Sequence, residues 1–190
     1  MEPASVRTLS TAADRREAVL AAAMPVVAER GIAATATAEI AKRAGISHAY
    51  LFRLFPTKSE LAVAVVERAN QRIYDALAAA AARVDGSGEE RLHAMGMAYS
   101  ELLEDRELLL LQLHSHAAAG QDPAIRASAR TGFERLVALV ERESGADAVM
   151  VGRFFATGML MNVMAALDAG SVSEHWADVL ASYCASGDLP

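Results

Sequence analysis

The chain has 190 residues, enough for one domain or two small ones, and 53% of them are hydrophobic, which excludes a globally disordered protein. A net charge of −6 excludes a chain that coats nucleic acid along its whole length. With 5% aromatic residues and abundant alanine, which gives up no side-chain entropy in a helix, the composition favours helix over sheet.

The punctuation divides the chain into nine helices and leaves little room for strands. The first is expected over 12–30, where Val19, Leu20, Ala23, Val26 and Val27 recur at helical spacing; Gly31 stops it, and Pro25 predicts a bend or local break inside it. Short helices follow over 37–43, ended by Gly45, and over 48–55, stopped by Pro56. Thr57 caps a long helix that starts near Lys58 and runs into the alanine tract at 78–82. The loop Asp85-Gly86-Ser87-Gly88 marks the next boundary. Further helices are expected over 89–104, 106–119, 123–144, 147–168 and 173–185, separated by Gly120-Gln121-Asp122-Pro123, Ser144-Gly145 and Gly170-Ser171. The chain reads as all-α.

Two features bear on compartment. One cysteine, Cys184, precludes an intrachain disulfide and suits a reducing cytoplasm. The N-terminal MEPASVRTLSTAADRR has no apolar stretch of the signal-peptide kind. The run 149–167 approaches transmembrane length, but Arg153, Asn162 and several glycines interrupt it, so it is expected to be a buried helix of a soluble protein, with no membrane partner.

Charge and motif meet in one segment. Residues 1–60 carry eight Lys/Arg against six Asp/Glu, whereas residues 61–190 carry ten against eighteen. Between Ile40 and Ser59 stand Lys42, Arg43, Arg53 and Lys58 and no acid, so phosphate attraction would be local to this stretch. Two short helices joined at Gly45 form a helix-turn-helix. Leu51 and Phe55, four apart, share one face and can pack on Ile40, while small Ala41 lets the helices cross closely. Ser47, His48, Tyr50 and Arg53 are left on the outer side of the second helix.

In order and spacing, Gly31, Thr35 with Thr37, Ile40-Ala41, Ala44-Gly45-Ile46-Ser47, Leu51-Phe52-Arg53-Leu54-Phe55 and Lys58-Ser59-Glu60-Leu61 resemble the tetracycline-repressor (TetR) family over about fifty residues. Two positions depart from it: Ala49 stands where many members have Gly, and Phe52 where Tyr is common. The resemblance implies an N-terminal three-helix DNA-binding domain over 12–57, a connecting helix over 58–83, and a helical effector-binding and dimerisation domain over 84–190. It implies a double-stranded DNA operator as partner, with repression relieved by a small, mostly apolar molecule. A recognition helix enters the major groove N-terminus first, so Ser47, His48 and Tyr50 are candidates for base edges, with Ala49 at the close approach. Arg53 could reach a guanine or a phosphate, Thr37 a phosphate through its hydroxyl and helix-start amides. Lys58 is carried over from the family as a phosphate contact.

For the body, the resemblance implies a cavity between helices. Tyr99, Leu103, Leu110, Leu113, His114, Phe133, Phe155 and Met159 are its candidate lining, methionine and aromatic walls being adaptable and large. His114 and His116, two apart on a helix, point in different directions, so no metal is expected, and no cofactor; one of them is expected as a polar anchor. The last two helices are implied to pair with those of a second subunit into a homodimer, with Gly152, Ala156 and Gly158 permitting close approach. The long helix from Lys58 is the expected lever between body and reading head.

Two other functions compete. A helical adaptor that binds protein has no use for the acid-free basic segment 40–59. For an enzyme, the chain offers no Gly-rich phosphate loop, no Gly-x-Ser-x-Gly elbow and no His-Glu-x-x-His, so catalysis is not expected.

Overall fold

The structure, a computed structural model, describes residues 11–186. Among the described residues there are nine α-helices, one 3₁₀ turn and no strand. The first helix, α1 (Ala12–Ala34), opens with a capping box: the Thr11 hydroxyl accepts the Asp14 amide and the Asp14 carboxylate accepts the Thr11 amide at 2.8 Å. Those bonds hold the Asp14 carboxyl below the usual carboxylate range. The expected break at Pro25 does not occur. The backbone passes through Pro25 in helical conformation and leaves it at Gly31, with φ +77° and ψ 159°, before a last short turn to Ala34. Met24, Val26 and Val27 around the proline are buried, so packing holds this turn helical where proline removes one amide donor. At Gly31 the positive φ suits a residue without Cβ, and the Thr35 hydroxyl donates to the Gly31 carbonyl at 2.8 Å beside the break.

The helices α2 (Thr37–Arg43), α3 (His48–Leu54) and α4 (Lys58–Ala82) begin where the sequence places them, and Thr57 caps α4 through the Glu60 amide. Next come α5 (Gly88–Leu102), α6 (Arg106–Ala119), α7 (Pro123–Ser144), α8 (Ala148–Ala166) and α9 (His175–Ser186). Each start from α5 to α8 carries a polar cap: Ser87 with Glu90 in a second capping box, then Asp105, Asp122 with Pro123 behind it, and Asp147. The 3₁₀ turn Ala169–Ser171 follows a left-handed Asp168, which the helix pattern did not anticipate.

One hydrophobic cluster runs from α1 to α8. The long α4 is part of that core, packed against α5 and α7, while α1 packs mainly on α6. Polar ties reinforce the arrangement: Arg72 of α4 pairs with Asp105 at the start of α6 at 2.7 Å, and Ser59 of α4 donates to Asp122 before α7 at 2.8 Å. An ion pair joins Arg68 to Glu17 of α1.

The expectation that 149–167 is a buried helix is corrected. Only Val151 and Asn162 of α8 are buried within the chain. Val149 and Val163 on α8, Leu167 just after it, and Trp176 and Val179 on α9 are 42–62% exposed, so the last two helices present an unpaired apolar face. By length and composition α8 could cross a membrane, yet Asn162 is fully buried against α5.

Candidate nucleic-acid interface

The turn between α2 and α3 is set by backbone chemistry. Ala44 ends α2, Gly45 takes a left-handed φ of +67°, the Ile46 amide reaches back to the Ala41 carbonyl at 3.0 Å and the Gly45 amide to Lys42 at 3.2 Å. This pair of bonds is a Schellman motif, which satisfies the last carbonyls of α2. Ser47 then starts α3, its hydroxyl accepting the Tyr50 amide at 3.2 Å. Inside the elbow Ile40, Ala41, Leu51 and Phe55 are at most 2% exposed, so the angle between the helices is held by packing.

On the outer face, Ser47, His48, Ala49, Phe52 and Arg53 are exposed and Tyr50 is half-buried. The outward groups are joined to one another. His48 Nε2 and Thr37 Oγ1 share a 2.9 Å hydrogen bond across the two helices, and the Phe52 ring sits edge-on to the His48 imidazole at 4.9 Å. The Tyr50 ring has Arg53 over it and Arg15 of α1 near it, each 5.4 Å from the centroid. Lys58 Nζ donates to the Ala33 carbonyl at 2.6 Å, fixing the start of α4 to the last turn of α1. Phe52 is 37% exposed, its ring resting on His48.

The charge at this surface is wider than 40–59. Arg15 and Arg16, in the second turn of α1, lie against the end of α3, Arg16 stacking on Phe55 and donating to the Leu54 carbonyl. Glu39 on α2 is engaged by Arg30 at 2.8 Å. No spacing rule within the helix-turn-helix could have found the two arginines, since they are nearly forty residues away in sequence.

A second site lies in the body. A small, partly open cavity of about 50 Å³ is bounded by α4, α5, α6, α7 and α8. Of the expected lining, Tyr99, Phe133, Phe155 and Met159 bound it; Leu103 lies instead in a wide outer groove between α5, α8 and α9. Leu110, Leu113 and His114 do not line the cavity. His114 turns to α1, where its Nε2 donates to the Ala28 carbonyl at 3.2 Å and its ring fills the space a Gly31 Cβ would take. His116 lines the cavity in its place, together with Gln112, Asn70 and Phe154. Burial pushes the His116 imidazole below its ordinary value, so it is uncharged at neutral pH. Phe133, Phe155, Phe154 and His116 form a chain of ring contacts at 5.6–6.0 Å. The described residues hold no cluster of three or more His, Cys, Asp or Glu that could bind a metal.

A helix-turn-helix with a basic outer face, carried on an all-helical body with an internal cavity, defines the class of DNA-binding transcriptional regulators. The profile of bacterial regulatory proteins of the tetR family matches residues 19–65, the last turns of α1 through the first turns of α4. Over that segment, which holds the helix-turn-helix, the chain is similar to this family. Over 127 residues it is 27% identical to the nucleoid occlusion factor SlmA of Haemophilus influenzae, covering 66% of this chain and 58% of that protein, so it spans less than two thirds of this relative's length. A TetR-family member from Streptomyces coelicolor A3 superposes with a TM-score of 0.71 at 26% identity, over 88% of this chain and 96% of that one. FadR from Bacillus subtilis, in complex with stearoyl-CoA, shares the fold with a TM-score of 0.70 at 15% identity, over 91% and 99%.

Proposed function

We propose that this regulator works as a homodimeric repressor that reads a palindrome-like operator and is released by a small, mostly apolar ligand. The observation that carries the DNA-reading part is the α3 outer face: exposed, free of acids, and flanked by Lys42, Arg43, Arg53 and Lys58 with Arg15 beside them. On this reading residues 12–57 are the reading head, 58–83 join it to the body, and 84–190 sense and dimerise. Ser47, His48, Ala49 and Tyr50 face base edges, and Thr37, Arg53 and Lys58 meet phosphates or, for Arg53, a guanine. The His48–Thr37 and Lys58–Ala33 bonds hold three of these groups, His48, Thr37 and Lys58, in place before DNA arrives, which lowers the ordering cost of binding.

The dimer is supported by the unpaired apolar face of α8 and α9. Two recognition helices related by a two-fold axis read half-sites about one helical turn apart. Reaching such sites places the protein in the cytoplasm. FadR holds stearoyl-CoA within the same fold, which supports a ligand-bearing body here too.

The test is duplex binding across a salt series. Specific binding with a steep salt slope is expected, Lys58→Ala weakening all sequences alike and flattening the slope by about one unit, and His48→Ala changing the preferred bases. A Lys58→Ala protein with unchanged affinity at every salt concentration removes that residue from the interface. Absence of any duplex binding by the parent chain overturns the reading.

A further inference from the structure

The polar groups beside the inner cavity are ordered in one direction. Asn162 Nδ2 donates to the Tyr99 hydroxyl at 2.7 Å, and that hydroxyl donates to Gln112 Oε1 at 2.9 Å. The phenol has a single proton, so it gives to one neighbour and takes from the other. The same amide nitrogen also lies 3.9 Å from the Met159 sulfur, a weak acceptor, while Asn162 Oδ1 is buried without a partner. The relay therefore ends at Gln112 with its carbonyl satisfied. Gln112 is 7% exposed, lines the cavity, and its Nε2 is buried without a partner. A buried amide donor left unpaired is costly, and few native side chains are left so without a reason.

The remainder of the lining sets what could answer it. No Asp, Glu, Lys or Arg bounds the cavity. An ion entering it would lose its hydration with no opposite charge to receive it. The walls are aromatic and aliphatic. At about 50 Å³ the cavity is smaller than the ~150 Å³ void that admits benzene, so an occupant has to open it. Phe133 and Met159 each line the cavity and are also more than a third exposed, so the wall they form is the one an occupant can displace towards solvent.

We propose that the cavity takes an uncharged, apolar molecule of about one ring, carrying a hydrogen-bond acceptor that the Gln112 Nε2 meets. The inference rests on reading the cavity as the effector site, and adds the chemical class of the effector. It also assigns specificity: Gln112 selects for the acceptor, and the absence of lining charge selects against carboxylates and amines.

Three probes of similar size separate the terms: acetophenone, which is neutral with one acceptor; ethylbenzene, neutral with none; and benzoate, charged. Calorimetric titration of the full chain should show acetophenone binding at least about tenfold more tightly than either of the others, the scale of one buried unpaired group. Gln112→Met should bring the ketone and the hydrocarbon to within about twofold of each other. Should that variant fail to fold, the side-chain amide resonance of Gln112 in the parent protein gives the same answer: it should shift with acetophenone and not with ethylbenzene. Gly158→Leu, whose added carbons start 3.2 Å from the Tyr99 ring, should block all three probes. Benzoate binding as tightly as acetophenone, or a ketone preference that survives in Gln112→Met, overturns the ligand class while leaving the cavity in place. If none of the probes binds the parent chain, or Gly158→Leu binds them unchanged, the effector cavity falls and the proposal with it.

Discussion

Gly45 turns the chain between α2 and α3 at φ +67°, and nothing lies within 4 Å of where a Cβ would stand. Its substitution therefore isolates backbone cost from packing. Gly45→Ala should lower stability by about 1 kcal/mol in urea unfolding, with Gly45→Asn recovering part of the loss. A loss of several kcal/mol would mean the site is packed after all. His116 gives a second residue-scale test. Burial depresses its folded pKa, so between the folded and unfolded values the unfolded chain binds more protons and stability rises with pH. Its contribution is complete above about pH 6.5, the unfolded value, and is lost as pH falls from there towards the folded one. Replacing it in His116→Gln should flatten the fall in melting temperature between pH 7 and pH 5, and an unchanged slope would refute the assignment. The sequence puts His114 in the lining and leaves open which of His114 and His116 is the polar anchor, because both sit on one apolar helix. A separation of two residues turns them by about 200°, sending one to α1 and the other into the cavity.

Among the elements, α6 has two faces with different partners. Gln112 and His116 line the cavity, and His114 reaches α1 at Ala28 and Gly31. The sequence pointed to α4 as the lever because it is long and continuous. Packing adds a shorter route, since α1 rests mainly on α6 and is broken at Gly31 where His114 meets it. His114→Ala should speed amide exchange over residues 28–34 and leave α5 protected as before. Equal exchange in both proteins would show that α1 is held independently of α6. Helix starts were legible because capping is local, as Thr57 shows. The Gly31 break was less so: a glycine in an alanine-rich pattern reads as a stop, and only the neighbouring helix explains the extra turn beyond it. Leu113, expected in the lining, lies outside it, whereas Gly158 bounds the cavity and is the position from which to fill it.

For the whole molecule, the open question in the sequence was what covers the apolar run at 149–167. Hydropathy registers that the residues avoid water but not whose surface they meet, which is why a buried helix was expected and a half-open one found. Charges at Val163 and Val179, both exposed and outside the cavity lining, are the discriminating substitutions. The parent chain should sediment as a dimer at micromolar concentration, and Val163→Glu with Val179→Glu as a monomer of unchanged helix content. A double variant that stays dimeric removes this face from the assembly. Met159 is unsuitable for that purpose, because it also bounds the cavity.

The uneven charge has a consequence for encounter. Residues 1–60 hold two more cations than anions, and residues 61–190 hold eight more anions than cations. Such a chain is an electric dipole that rotates in the field of a polyanion before any contact forms. Its basic end is drawn forward and its acidic body pushed back, so a larger share of collisions arrives in the productive orientation. Alignment of this kind raises the association rate and fades as salt screens the field beyond about 10 Å at 0.1 M. On the proposed DNA-reading function, the acidic body also repels copies bound on neighbouring sites.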